Sequence, residues 1–259
     1  NLWQQFDKEC YGEVVAAVER RWGLLPPDRV ISVYANALLF KQERLKLYNL
    51  AQQAIKHRPD CANTWYAVGL HYCGQGREEE MRKYWLKGIS KEDNSVPCWI
   101  GLGHSYGQAG DHDLAVNAYM AAAHHYAVGS PWPRLFLASE YVRCRRTALA
   151  EPILAELSNW IGEDASFLNE MAVCKAQSRD YRAAMEAIDR AVELCKHNTE
   201  PTASSLLRSI LINRLHITLA SLTDQDCRHS PLRTLDTAMS FAQELYEMSP
   251  KDDVKVRKI

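Results

Sequence analysis

The sequence has no Cys-x-x-Cys pair. Its eight cysteines (Cys10, Cys61, Cys73, Cys98, Cys144, Cys174, Cys195 and Cys227) are scattered singly. That spacing argues against a zinc site or a redox dithiol. The sequence also has no Asn-x-Ser/Thr acceptor. Lone thiols without glycosylation signals point to a reducing compartment, with most cysteines acting as small buried hydrophobes. Charge of one sign is missing too: the formal net charge is −1, too little of either sign to favour nucleic acid or a membrane surface. No apolar run approaches the roughly 20 residues that span a bilayer. Walker A, G-x-S-x-G and H-E-x-x-H patterns are absent, which removes the common phosphate-binding, acyl-transfer and zinc-hydrolase constellations. His124 and His125 are adjacent, so on a helix they project to different sides and do not chelate one ion. No catalytic residue, metal or cofactor is expected, and the chain is read as a non-enzyme. No stretch alternates apolar and polar residues with period two, so essentially no β-strand is expected. The chain starts at Asn1 rather than Met, and we read it as a piece of a longer protein.

What the sequence does contain is a repeat. NTWYAVGLHYCGQG begins at Asn63 and PCWIGLGHSYGQAG begins at Pro97, 34 residues later. Trp65 pairs with Trp99, Val68 with Leu102, Gly69 with Gly103 and Tyr72 with Tyr106. That order at that period is the signature of the tetratricopeptide repeat, a helix–turn–helix unit. Each second helix then offers a small or Met residue, a large one four later and a small one three after that: Met81, Trp85 and Gly88, then Ala115, Tyr119 and Ala122. Small residues let the paired helices approach and large ones fill the gap to the next unit.

Walking the period outward gives one all-α array over residues 1–259. It comprises a leading half unit with linker (1–27), repeats at 28–61, 62–95, 96–130, 131–164 and 165–198, an irregular repeat at 199–250 and a charged tail at 251–259. Asp28 is the expected N-cap of the first full unit. Gly76 and Gly110 fall in turns where a left-handed backbone is expected. In the last unit, Ala238, Ala242 and Leu245 share one face of the second helix, and Pro250 ends it.

Such arrays coil into a right-handed superhelix with a concave groove. The signature aromatics and glycines are assigned to packing. The groove is assigned to first-helix residues one turn apart, off the signature face. These are Asn63, Tyr66, Leu70 and Cys73; Ile100, His104 and Gly107; Trp132, Leu135 and Ser139; Asn169 and Val173; Asn213 and Ile217. This mixed apolar and amide surface suits an extended segment or a helix, with amides gripping peptide backbone. Arg29 and Arg143 are the few basic residues near it, too few for a clamp on an acidic C-terminal tail.

One stretch is more specific than the generic repeat. W-x-A-V-G-x-x-Y (Trp65–Tyr72), Y-x-x-K (Tyr84–Lys87), W-I-x-x-G-H-S (Trp99–Ser105) and D-x-A-x-x-A-Y-x-x-A-A (Asp113–Ala123) follow one another. In these motifs the chain resembles the cell-division-cycle-sixteen (Cut-nine) family of the anaphase-promoting complex, a multisubunit ubiquitin ligase. The resemblance runs from about Asp7 to Pro250 and is strongest from Cys61 to Ala123. The G-H-S after W-I is its most specific element. Glu140–Tyr141 and Asn169–Glu170 fit further family stretches less closely, which adds Glu140 and Glu170 to the candidate groove. The resemblance implies a non-catalytic scaffold in mitotic exit, acting in nucleus and cytoplasm. It also implies a groove that encloses the N-terminal segment of a small accessory subunit, contacts with other ligase subunits, and homodimerisation only for the full-length protein. A chaperone cofactor or trafficking adaptor built on the same repeat is the alternative.

Overall fold

The computed structural model describes residues 8–23, 25–125, 130–197 and 201–223, with 239, 240 and 243 besides. Among these residues every regular element is a helix. In chain order they are α1 (Lys8–Trp22), α2 (Asp28–Phe40), α3 (Arg44–His57), α4 (Ala62–Cys73), α5 (Glu78–Lys91), α6 (Val96–Ala109), α7 (His112–His125), α8 (Trp132–Arg143), α9 (Thr147–Ile161), α10 (Ala165–Gln177), α11 (Tyr181–His197) and α12 (Pro201–Thr223). Helix α12 is one long helix of 23 residues. Ala238, Ala242, Leu245 and the tail lie outside the described residues.

The chain divides into two compact units, 1–140 and 141–259. In the first, α4 packs on α5 and on both helices before it, α2 and α3, while α6 packs on α7, α5 and α4. In the second, α10 packs on α11, and α12 packs on both. Helices α2, α4, α6 and α10 each touch their own partner and the unit before, which is how a repeat too small to bury a core alone becomes stable. Ile31, Tyr34, Leu38, Leu47, Leu50, Trp85 and Leu102 form the core of the first unit, and Ala184, Ile188, Ala191, Ile210 and Leu211 that of the second.

The two signature tryptophans do the same job twice. Trp65 Nε1–H donates to the carbonyl of Pro59 at 2.7 Å, and Trp99 Nε1–H donates to that of Asp93 at 2.7 Å. Each indole ties down a link between repeats by satisfying a carbonyl of the link itself.

The turns inside the repeats show a second regularity, which the sequence hides. Gln42, Gly76, Gly110, Arg145 and Arg179 occupy equivalent places, and all have positive φ, between 56° and 84°. Glycine adopts that backbone without strain; a side chain there costs roughly 1–2 kcal/mol. Arg179→Gly should therefore raise stability by a few tenths to about 1 kcal/mol, and Gly110→Ala should lower it by about 1 kcal/mol. Urea midpoints moving in the same direction for both would contradict the assignment.

Asp28 is not a cap. Helix α2 is preceded by Pro27, and no side chain caps it. Arg58 Nη1 binds the Asp28 carboxylate at 2.5 Å, so the side chain turns toward the next link rather than back over its own helix. Cysteine burial is partial. Cys98, Cys174 and Cys195 are buried, Cys61 and Cys144 are half-buried, and Cys73 is exposed.

Burial pushes the Cys98 thiol up to about 12 and, with Glu19 beside it, the Tyr34 phenol up to about 12. Groups that hold their protons more tightly folded than unfolded stabilise the fold while protonated. That stability is complete below the free thiol's value of about 8.5 and falls as pH rises toward 12. Cys98→Ala should flatten the first part of this fall, between about pH 8.5 and 10, before the unfolded tyrosines titrate. An unchanged slope of urea stability against pH would contradict it.

Candidate peptide-binding groove

The first helices carry the candidate groove, and the structure sorts its residues into two sets. Tyr66, Leu70, Leu135, Glu140 and Asn169 are buried, each at most 8% exposed. Tyr66 donates its hydroxyl to Asn36 Oδ1 of the preceding repeat at 3.0 Å, and its ring lies 6.0 Å from that of Trp85. Desolvation raises the pKa of its phenol. Asn169 Oδ1 accepts from Asn213 Nδ2 at 2.9 Å, and Asn63 Nδ2 donates to the carbonyl of Asp28 at 3.0 Å. The amides expected to hold a peptide backbone are thus engaged between neighbouring helices. Helices α2 and α4 approach so closely that Tyr66, one residue past the signature Trp65, falls between them rather than onto the groove. These residues belong to the packing, and truncating Leu135 or Asn169 would test stability before it tested binding.

The second set remains accessible. In the first unit, His104 is exposed, and Asn63, Ile100, Trp132 and Ser139 are half-buried; in the second, Glu170, Val173 and Asn213 are half-buried. His104 is held in place. Tyr119 Oη lies 2.6 Å from its Nδ1, and its ring meets Phe136 edge-on at 4.7 Å. Phe136 has no counterpart in the sequence reading. It lies one residue past Leu135, and only the observed helix rotation brings it to His104. Another polar link joins a buried group to a more accessible one: the Glu140 carboxylate, 4% exposed, is 3.0 Å from Nδ1 of His112, whose side chain is 40% exposed.

The G-H-S element has a structural explanation in all three residues. A Cβ on Gly103 would stand 2.7 Å from Tyr119 Cδ1, so only glycine admits that ring. His104 engages the hydroxyl of the same Tyr119. Ser105 Oγ accepts from Arg82 Nε at 2.6 Å, and the Arg82 guanidinium lies 5.3 Å above the Tyr106 ring. The segment joins α6 to both α5 and α7. No cluster of three or more potential metal ligands occurs among the described residues, and no described helix is long and apolar enough to cross a membrane.

Residues 96–123 match the tetratricopeptide-repeat family model. The chain is 31% identical to anaphase-promoting complex subunit cut9 of Schizosaccharomyces pombe over 63% of its own length and 25% of the relative's. The chain thus carries tetratricopeptide repeats and is similar in sequence to cut9. It is also 26% identical to anaphase-promoting complex subunit CDC16 of Saccharomyces cerevisiae, over 72% of this chain and 22% of that one. It spans about a quarter of the length of these relatives. A crystal structure of the Cut9–Hcn1 hetero-tetramer of the anaphase-promoting complex superposes with a TM-score of 0.59 at 25% identity, over 86% of this chain and 46% of that one. Of the candidate groove residues in the first unit, Asn63, Ile100, His104, Trp132 and Ser139 are the accessible ones.

Proposed function

We propose that this array is part of a non-enzymatic scaffold subunit of an anaphase-promoting-complex ubiquitin ligase acting in mitotic exit. Its first helices hold the N-terminal segment of a small accessory subunit. The observation that carries the proposal is the likeness to Cut9 in a hetero-tetramer with Hcn1, which extends over 86% of the chain. The accessible set supports it. Ile100 offers an apolar contact, and His104 and Ser139 offer polar ones. The array provides positions rather than chemistry. Other ligase subunits are the further partners, homodimerisation belongs to the full-length protein, and nucleus and cytoplasm are the proposed locations.

The test is titration of a labelled peptide, the N-terminal segment of the source organism's small accessory subunit, into wild type and His104→Glu. His104 is exposed, and a Glu carboxylate can accept from the Tyr119 hydroxyl in place of the imidazole, so the fold should be kept. We expect about tenfold weaker binding, equivalent to about 1.4 kcal/mol, with unchanged helicity. Equal affinity in both proteins would refute the groove assignment. Tight, steeply salt-dependent binding of an acidic C-terminal peptide instead would favour an adaptor or chaperone cofactor.

A further inference from the structure

We propose that the turn edge of the repeats at 28–61 and 62–95 carries a second docking site. It takes a short segment of a partner protein that presents one large apolar side chain flanked by carboxylates.

A cavity of about 210 Å³ opens there. Leu38, Leu39 and Leu47 line it, with Arg44, His71 and Gln75 around them. Small-molecule sites typically enclose about 300–1,000 Å³, so this one suits a single anchoring side chain better than a metabolite. It lies at the C-terminal ends of α2 and α4 and the start of α3, whereas Asn63 of the proposed groove begins α4. The apolar surface continues outside the cavity. Leu45 is 81% exposed and Tyr48 is 45% exposed. They stand one turn apart on α3, and the Tyr48 ring lies 5.3 Å from that of His71. A solitary exposed leucine needs no explanation. Here Tyr48 meets His71 on the rim of the leucine-lined hollow, and Leu45 adds a second exposed apolar side chain one turn away on the same helix.

The charges choose the occupant. Lys41 pairs with Glu43, and Lys46 pairs with both Glu19 and Glu43. Arg44, between them in sequence and lining the cavity, has no carboxylate partner among the described residues. A guanidinium presents a planar fork of donors matched to a carboxylate. His71 adds no cation near neutral pH: burial, and then the Arg77 charge, depress its pKa. Its Nε2 lies 2.8 Å from Gln75 Nε2. Arg44 therefore sets the preference for acidic residues beside the anchor.

The experiment uses fluorescence polarisation on the intact chain with three labelled peptides. The first is Glu-Asp-Leu-Phe-Glu-Asp. The second replaces Leu-Phe with Ser-Ser, and the third replaces every acidic residue with Lys. We expect the first to bind and the second to lose binding. Arg44→Glu should weaken the first about tenfold, or about 1.4 kcal/mol, and improve the third. His104→Glu should leave the first unchanged, which separates this site from the groove. No binding of the first peptide at about 1 mM, the millimolar floor of such contacts, would overturn the proposal. Equal binding to wild type and Arg44→Glu would overturn it too.

Discussion

Trp85→Ala is expected to lower stability by about 3–5 kcal/mol. The indole is 4% exposed and fills a slot that two glycines make for it. A Cβ on Gly69 would stand 2.5 Å from Trp85 Cδ1, and one on Gly101 would stand 3.0 Å from Cδ2. Backbone of α4 and α6 therefore presses on both sides of the ring. Its Nε1–H donates to the carbonyl of Tyr66 at 3.2 Å. Truncation removes the buried area, that bond and the stack with Tyr66. The hole it leaves is walled by helix backbone, which relaxes poorly, so the cavity term should be near its full size. Urea unfolding followed by circular dichroism measures it. A loss under about 1 kcal/mol, the size expected of an ordinary substitution, would mean that Trp85 does not join these helices as described.

Gly103→Leu should destabilise by about 1–3 kcal/mol through overpacking, and by more if Tyr119 cannot swing aside. Even a methyl at Gly103 meets the Tyr119 ring, which is 3% exposed and whose hydroxyl is engaged with His104. Moving the ring would disturb His104 as well, so this variant should lose groove binding along with stability. Gly12 is the control. Among the described residues, a Cβ there meets only Lys41 Nζ, at 3.7 Å. Gly12→Ala, inside α1, should instead stabilise by about 0.4–1 kcal/mol. Loss of stability at both positions would show that the effect is not specific to the glycine–tyrosine contact.

These two predictions also mark what the sequence disclosed. The Trp, Gly and Tyr of the repeat are legible because close helix contact demands a small residue opposite a large one at fixed spacing. Gly69 against Trp85 and Gly103 against Tyr119 are that demand made visible. The groove was legible only in part. Helix periodicity separates Tyr66, Leu135 and Asn169 from the signature face. It does not reveal how near the next helix stands, and that distance buries them. Asn63, Asn169 and Asn213 looked available because an exposed amide and one bonded across a repeat boundary look alike in a sequence. The left-handed turns at Gln42, Arg145 and Arg179 were hidden for a different reason. Turn length imposes that backbone, while their residue types do not advertise it, unlike Gly, Asn or Asp.

Affinity purification of the chain from its source cells, followed by mass spectrometry, tests the central claim most directly. Ubiquitin-ligase subunits should co-purify together with the small accessory subunit, and His104→Glu should lose the small subunit at unchanged chain abundance. Recovery of chaperones or trafficking proteins in place of ligase subunits would contradict it.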